Sequence, residues 1–239
     1  HRSSKKYPQG LQFLDVFEYI STHFEWQIYM YERIIDKVTL SGTVLSKPVL
    51  DYEKNGEKFY QMELSISRLS GTADIIPVQF SERRADPSLL YAGNYVKVKG
   101  EFRSFNIKVA GEKKTHLRLI VLADMLYLSE DMEQDQNEVE LDGHLFKTPY
   151  FRQVGVKETP IADLAIAVNH EDGTSSYIPC ICWNATAIYA QRNFQVGTHV
   201  HLNGRIQSRK FNKLLPDGTV VFKTVYEVSI HTVLEEKEK

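Results

Sequence analysis

Cysteine is scarce in this chain of 239 residues, which has only Cys180 and Cys182 and no C-x-x-C pair. In an extended strand these two side chains leave the same face one residue apart, so a disulfide between them would be strained. The spacing also excludes the common zinc and redox motifs that use paired cysteines. Two core thiols that are not joined are typical of a protein from a reducing compartment.

An excess of positive charge is also missing, because 29 Lys and Arg residues are set against 31 Asp and Glu residues, for a net charge of -2. A function that requires binding to a polyanion would therefore need its cations concentrated in one region. The sequence has no apolar run of the length that a membrane-spanning helix needs. The hydrophobic share of 42% and the charged share of 25% are those of a globular protein.

The first 29 residues differ from the rest. They open with a polar, basic segment without an initiator Met, and Asp15 and Glu18 interrupt their helically spaced apolar residues. Such a segment is neither a membrane span nor a convincing signal peptide. Met30 would make a natural start, so we interpret residues 1–29 as vector-derived, with a short amphipathic helix as the alternative.

The most informative stretch begins with a strand at residues 177–183, in which a small apolar face alternates with a face that carries Tyr177 and Trp183. A short helical segment and a glycine turn lead to a second strand. Its polar face runs to Arg209 and is followed at once by Lys210 and Phe211. Flat rings beside cations suit a flexible, charged strand that bears bases, although an ordinary half-buried sheet produces the same pattern.

The first half of the chain shows a series of strands. Alternation and turn residues predict them at 37–44, 59–68, 75–80, 95–103 and 116–128, with a hairpin turn at Asn55-Gly56. The segment 82–91 contains Pro87, so it predicts only a brief turn of helix between the third and fourth strands.

Four motifs of the first half return in the second, in the same order and at nearly constant spacing. They are 41–48 with 142–149, 64–67 with 164–167, 76–78 with 178–180, and 93–100 with 197–204. Self-similarity of this kind indicates a duplicated domain. Three strands, a short helix and two further strands form the order of the OB-fold, a Greek-key barrel that binds oligonucleotides or oligosaccharides.

The sequence therefore predicts an all-β protein of two tandem OB-folds, each a five-stranded Greek-key barrel with a short helix between strands 3 and 4. The predicted boundaries are an N-terminal extension at 1–36, OB-folds at 37–128 and 138–234, an acidic linker at 129–137, and a charged tail at 235–239.

Three segments of the second copy carry a resemblance to a known family: 178–183 (IPCICW), 194–200 (FQVGTHV) and 203–211 (NGRIQSRKF). They are similar to bacterial single-stranded DNA-binding proteins of the SSB type. With its two copies, the chain resembles the two-copy proteins of some Firmicutes. The resemblance implies binding of single-stranded DNA without strong sequence preference, in replication, recombination or repair. It also implies a homodimer with four OB-folds in the bacterial cytoplasm, associated with the nucleoid, and replication or repair proteins as further partners.

The resemblance also implies roles for particular residues. In the second copy the stacking aromatics fall on Tyr177, Trp183 and Phe211, and the phosphate-binding cations on Arg205, Arg209 and Lys210. The first copy departs from the pattern, because Ile75 and Ser81 occupy the places of Tyr177 and Trp183. It still offers Lys97, Lys99, Arg103 and Phe105, so we expect it to bind weakly or to serve in assembly. The aromatic on the family's second strand is absent from the second copy, where Glu171 and Asp172 stand.

Each of these residues also has an ordinary structural interpretation. The aromatics would then cover a barrel rim, the cations of the second copy would form a solvated sheet face, and the alternating lysines of the first copy would protect an edge strand.

Enzymatic chemistry has little support in the sequence. His199 and His201 share a strand face, but no third ligand has matching spacing, so we expect a surface pair and no metal site. No catalytic triad, phosphate-binding glycine loop or paired carboxylate motif is recognisable, and we expect neither catalytic residues nor a cofactor. A protein-interaction adaptor of the primosome type and an RNA-binding OB protein remain as alternatives, with a nuclease as a distant third.

Overall fold

The computed structural model describes residues 36–108, 115–129, 134–214 and 218–235, so the predictions for residues 1–29 lie outside the described part. The first six strands are β1 (Asp36–Val44), β2 (Val49–Lys54), β3 (Glu57–Ser67), β4 (Ala73–Ser81), β5 (Tyr95–Lys108) and β6 (Thr115–Ser129). The second six are β7 (Gln136–Leu145), β8 (Tyr150–Val154), β9 (Thr159–Asn169), β10 (Ser175–Trp183), β11 (His199–Leu214) and β12 (Val220–Glu235). A helix, α1 (Asn184–Asn193), follows β10, and a 3-10 turn at Pro87–Leu89 follows β4.

The predicted fold class is confirmed, with one additional short strand in each copy, β2 and β8. The predicted hairpin turn joins β2 to β3, and both of its central residues, Asn55 and Gly56, have positive φ values of 53° and 75°. Such a turn matches the twist of the strands that it connects. The sequence analysis missed β2 because its residues are mostly exposed, so no apolar alternation marks it.

The element that follows the third predicted strand, between β4 and β5 in the first copy and between β10 and β11 in the second, differs between the copies. In the first copy it is a single 3-10 turn, in which Asp86 Oδ1 accepts a hydrogen bond of 2.8 Å from the backbone N–H of Ser88. Pro87 has no N–H to donate, which keeps this element short. In the second copy the Ala-rich segment forms three turns of helix, and Ala187 and Ala190 are fully buried.

Each copy closes into a barrel through one parallel pairing. In the first copy β4 pairs with β6, with Val78 opposite Val121. In the second copy β10 pairs with β12, with Cys180 opposite Val228. Alternate residues of the strands other than β2 and β8 fill the interior, and each large apolar side chain buried there contributes roughly 1.5–3 kcal/mol. Fully buried examples are Leu40, Leu64, Ile76, Phe102, Leu141, Ile166, Ile178 and Leu202.

Two glycines allow a close approach between strands, one between β5 and β6 and the other between β11 and β12. A Cβ on Gly100 would overlap the carbonyl oxygen of Leu122, and a Cβ on Gly204 would overlap that of Ser229. Both glycines lie where the register of their strand shifts. The bulge bends β5 and β11 so that their second halves extend as hairpins with β6 and β12.

The two copies share one sheet because β1 pairs with β7 in the antiparallel sense. In this ladder Val38 lies opposite Val139. These two valines lie equally far ahead of Gly42 and Gly143, the equivalent glycines of the two copies. An approximate two-fold axis therefore passes through the Val38–Val139 pair and relates one copy to the other.

A second set of contacts follows the same approximate symmetry. Ser104 of β5 exchanges hydrogen bonds of 3.0 and 2.7 Å with residues 176–177 of β10. Ser208 of β11 exchanges hydrogen bonds of 2.8 and 2.9 Å with residues 74–75 of β4. The start of β10 thus contacts the β5–β6 hairpin, and the start of β4 contacts the β11–β12 hairpin. Among the described residues, no helix is long and apolar enough to cross a membrane.

Candidate nucleic-acid interface

Tyr177 lies at the joint between the two copies. Alternation along β10 turns its side chain outward, and 43% of the residue is exposed. The ring of Phe146, in the turn after β7, packs edge-on against it at a centroid distance of 4.9 Å. Lys147 Nζ lies 5.3 Å from the centroid of the Phe146 ring. The structure therefore places two aromatic rings and one cation together, an arrangement suited to a stacked base and its phosphate.

The same joint brings part of the first copy to Tyr177. The backbone N–H of Tyr177 donates to Ser104 Oγ, and Ser104 lies between the predicted site residues Arg103 and Phe105. Phe105 is 40% exposed. Arg103 is instead occupied, because it donates to Glu101 Oε2 at 2.6 Å and to Asp172 Oδ2 at 3.1 Å.

Trp183 lies apart from this cluster. It ends β10, six residues after Tyr177, so the two side chains are about 20 Å apart along the strand. It is 39% exposed and pairs through its backbone with Ile161 of β9. The two aromatics therefore belong to separate positions on the surface.

The hairpin formed by residues 207–214 of β11 and 220–227 of β12 carries three of the remaining predicted residues. Arg209 and Lys210 are exposed, and Phe211 is half-buried opposite Lys223. Phe222, which the sequence analysis missed, is 73% exposed. Among the side chains that the structure describes, the β11–β12 hairpin thus brings Arg209, Lys210 and Lys223 together with Phe211 and Phe222, all within reach of solvent.

Arg205 does not lie on the open part of the hairpin. Its Nη1 donates to Oδ2 of the fully buried Asp74 at 3.0 Å, and Arg68 Nε donates to the same oxygen at 2.7 Å. Burial, together with the charge of Arg68, lowers the pKa of the Arg205 guanidinium from its ordinary value. Arg205 therefore joins the two copies, and its contact with phosphate stays a prediction.

Lys97 and Lys99 lie on the outward face of β5, since Val96 and Val98 between and beside them are fully buried. Lys99 is exposed and Lys97 is half-buried. On β6, Tyr127 lies opposite Lys97 and Met125 lies opposite Lys99, and about half of each of these two β6 residues is exposed. The first copy thus has a mixed basic and apolar strip, without an aromatic at the position equivalent to Tyr177.

A groove of about 510 Å³ separates the two hairpins. Arg209, Tyr226 and Pro179 line it from the second copy, and Arg118 and Pro77 line it from the first. Arg118 forms an ion pair with Asp51 Oδ2 at 2.8 Å. Arg209 is the residue of this lining that the sequence analysis predicts to contact phosphate.

Comparison with known proteins agrees with this arrangement. The profile of the Single-strand binding protein family matches residues 136–234, which span β7 to β12. Single-stranded DNA-binding protein 2 of Chlorobaculum tepidum is 30% identical over 105 residues, which are 41% of this chain and 68% of that protein. The chain belongs to the single-strand binding protein family.

Solved structures extend the similarity of this family member to both copies. The wild-type single-stranded DNA-binding protein of Thermus aquaticus matches with a TM-score of 0.66 at 22% identity, over 86% of this chain and 94% of that one. A deletion mutant of the same Thermus protein matches with a TM-score of 0.65 at 23% identity, over 87% of this chain and 97% of that one. At these identities the match establishes the tandem fold alone.

In this single-strand binding protein, the segment that matches the family profile contains three features: the cluster of Tyr177, Phe146 and Lys147, the separate Trp183, and the β11–β12 hairpin. Sequence reasoning missed Phe146, Lys147, Phe222 and Lys223 within it. Phe146 and Lys147 follow a strand as an adjacent aromatic and cation, and Phe222 and Lys223 repeat that pair in the last strand. An aromatic next to a lysine at a strand end is the signal that would have found them.

Proposed function

We propose that this protein binds single-stranded DNA without sequence preference and protects it during replication, recombination or repair, without catalysing a reaction. The observation that carries the proposal is the composition of the β11–β12 hairpin. Phe211 and Phe222 are accessible there beside Arg209, Lys210 and Lys223. Bases of any sequence have a flat face, so stacking on such rings gives affinity without sequence readout.

The proposed binding mode has two physical components. Each base that stacks on an aromatic ring contributes about 1–3 kcal/mol. Each phosphate that pairs with Lys or Arg releases a condensed counterion, so the affinity falls as salt rises. Since the net charge of the chain is -2, the attraction comes from local cations and not from the charge of the whole molecule.

The proposed contact residues form two sets. Stacking is assigned to Tyr177, Trp183 and Phe211, and we add Phe146, which packs against Tyr177, and the exposed Phe222. Phosphate contacts are assigned to Arg209 and Lys210, with Lys147 and Lys223 added. Arg205 and Arg103 are ion-paired with Asp74 and with Glu101 and Asp172, so they compete with these carboxylates for a phosphate.

The first copy has the weaker site in this proposal. Ile75 and Ser81 offer no ring where Tyr177 and Trp183 stand in the second copy. Lys97, Lys99 and Phe105 would hold the backbone of a strand that is bound mainly by the second copy.

The proposed assembly is a homodimer. One chain already joins two OB-folds through β1 and β7, so two chains would present four barrels to one strand. Cys180 and Cys182 are both buried thiols without a disulfide, which fits a site of action on DNA in the bacterial cytoplasm. Analytical ultracentrifugation of the full chain measures the number of chains directly.

Fluorescence anisotropy of a labelled oligo-dT at low and high salt tests the function. We expect saturable binding that weakens steeply with salt, and unlabelled oligo-dT should compete better than oligo-rU. Preferential competition by oligo-rU would instead indicate an RNA-binding protein. An anisotropy that does not change at low salt would mean that the protein does not bind single-stranded DNA. That result would contradict the proposal and favour a protein-interaction adaptor.

A further inference from the structure

Three side chains that could ligate a metal meet where the two copies join. Asp36 begins β1, Glu101 lies in β5, and His170 follows β9 of the other copy. One potential ligand atom of each residue lies within 4.8 Å of those of the other two. The side chains of Asp36 and His170 are only 1% exposed.

Two buried polar atoms in this cluster lack a partner. Among the described residues, neither Asp36 Oδ2 nor His170 Nδ1 has a hydrogen-bond partner. The other atoms of these groups are satisfied, since Asp36 Oδ1 accepts from Phe102 N at 2.9 Å and His170 Nε2 contacts Ser176 Oγ at 2.7 Å. Buried polar atoms without a partner are costly and rare, so their presence requires an explanation.

The separation of these two atoms fits coordination better than hydrogen bonding. Asp36 Oδ2 and His170 Nδ1 are 3.6 Å apart, which is longer than an ordinary hydrogen bond between nitrogen and oxygen. Ligands held about 2.0–2.2 Å from a tetrahedral metal ion lie about 3.3–3.6 Å from one another. A single cation placed between the two atoms would satisfy both.

Glu101 completes the set without losing its ion pair. Both contacts from Arg103, through Nε and Nη2, go to Glu101 Oε2 at 2.6 Å, so Oε1 remains for a ligand. Arg103 also pairs with Asp172, which offsets its positive charge. Two carboxylates and one imidazole then present two negative charges to the ion.

We propose that Asp36, Glu101 and His170 bind a divalent transition metal, Zn²⁺ in the first instance, that joins the two copies of the fold. One imidazole nitrogen with two carboxylate oxygens suits zinc, whereas magnesium and calcium take oxygen ligands alone. Water would be the fourth ligand. Ser176 Oγ would accept a hydrogen bond from His170 Nε2–H and so direct the Nδ1 lone pair at the metal.

The equivalent position of the second copy supplies a matched test. Asn137 is placed in β7 as Asp36 is in β1, and its Oδ1 accepts from Ile206 N at 2.9 Å while its Nδ2 donates to Ile206 O at 2.7 Å. Asp36→Asn should therefore keep the hydrogen bond to Phe102 and the fold. It removes the charge and the ligand oxygen that a metal needs.

Calorimetric titration of the full chain, stripped of metal by EDTA and dialysed, measures the binding of Zn²⁺. We expect a single equivalent to bind and to raise the midpoint of thermal unfolding, and Co²⁺ to give the visible absorption of a tetrahedral site. Asp36→Asn should bind Zn²⁺ at least tenfold more weakly with unchanged circular dichroism, and His170→Gln should do the same. A double variant, His199→Gln with His201→Gln, controls for the half-buried histidine pair of β11, whose side chains are 12% and 19% exposed, and should bind Zn²⁺ as the parent does.

Three results would overturn the proposal. One is the absence of Zn²⁺ binding to the parent, and a second is equal affinity in Asp36→Asn. The third is loss of binding in the His199/His201 variant, which would identify an adventitious surface ion only. If His170→Gln fails to fold, Asp36→Asn alone decides. None of these outcomes depends on DNA binding, so the metal site and the proposed function can fail separately.

Discussion

Arg205 of the second copy lies 3.0 Å from the carboxylate of Asp74 in the first copy, 131 residues away in the chain. The same carboxylate accepts hydrogen bonds from Arg68 and from the backbone of Ser208. Asp74 is 1% exposed, whereas about a quarter of each arginine side chain is exposed. One buried anion thus holds two partly hydrated cations at the joint between the barrels.

Replacing Asp74 should weaken the joint strongly. In Asp74→Ala the two arginines and the N–H of Ser208 lose their shared acceptor, and we expect the free energy of unfolding to fall by about 2–4 kcal/mol. This loss is smaller than for a fully buried pair because water partly hydrates both guanidinium groups. Urea unfolding followed by circular dichroism measures the change.

Lys99→Ala is the matched control for stability, because Lys99 is exposed on the outer face of β5. It should change the free energy of unfolding by less than about 0.5 kcal/mol. If Asp74→Ala is as stable as Lys99→Ala, the ion pair contributes nothing to the joint and Arg205 is available for other contacts.

The salt dependence of DNA binding should separate the cations of the hairpin from those of the joint. Arg209→Ala and Lys210→Ala each remove a cation assigned to a phosphate. Each should therefore lower the slope of log affinity against log salt by about 0.7, the value for a single-strand phosphate contact. Arg205→Ala should leave the slope nearly unchanged, because this guanidinium is paired with Asp74. Anisotropy titrations at several salt concentrations give the slopes.

A slope that falls for Arg205→Ala but not for Arg209→Ala would reverse this assignment. The comparison is meaningful only if Arg205→Ala stays folded at the temperature of the titration, which circular dichroism establishes. Lys37→Ala, which changes an exposed cation of β1 outside the β11–β12 hairpin, is the control for general loss of charge.

The fold was predictable from the sequence, while the joint was not. Alternation in the strands, the turn at Asn55-Gly56 and the internal repeat all act between residues that are close in sequence or equivalent by duplication. The contact of Arg205 with Asp74 depends on how two barrels are placed, so no local pattern marks it. Strand alternation predicts that Arg205 points away from the buried Leu202 and Ile206, yet this side chain lies against the other barrel. The proximity of Asp36 to His170 could not be predicted either, because it also depends on how the two barrels are placed.

Stacking residues should matter to binding and not to folding. Trp183→Ala and Phe222→Ala remove rings that are 39% and 73% exposed, so the core keeps its packing. At about 1–3 kcal/mol for each stacked base, the affinity for oligo-dT should fall by more than tenfold at Trp183 and comparably at Phe222. Tyr91→Ala is the control, because this ring is 52% exposed in the first copy outside the proposed contacts.

The result for Trp183 also has a spectroscopic counterpart. If Trp183 stacks on bases, oligo-dT should quench tryptophan fluorescence in the parent, and the quenching should shrink in Trp183→Phe, where only Trp26 remains. Undiminished affinity in Trp183→Ala would make this residue a cover for the barrel rim. Weaker binding by Tyr91→Ala would show that the contact surface of the first copy extends beyond Lys97, Lys99 and Phe105.

The two thiols should be inert in the folded protein. Burial raises the pKa of Cys182 to about 11 and raises that of Cys180 further, because the thiolate form would lose its hydration. The thiolate is the reactive species, so at pH 8 neither residue should react with a thiol reagent until the barrel opens. Labelling with iodoacetamide, followed by mass spectrometry, should therefore give no adduct in native buffer and two adducts in urea. Rapid labelling of one cysteine in native buffer would mean that β10 opens locally and that Tyr177 and Trp183, on the same strand, are held less firmly than the buried face of β10 indicates.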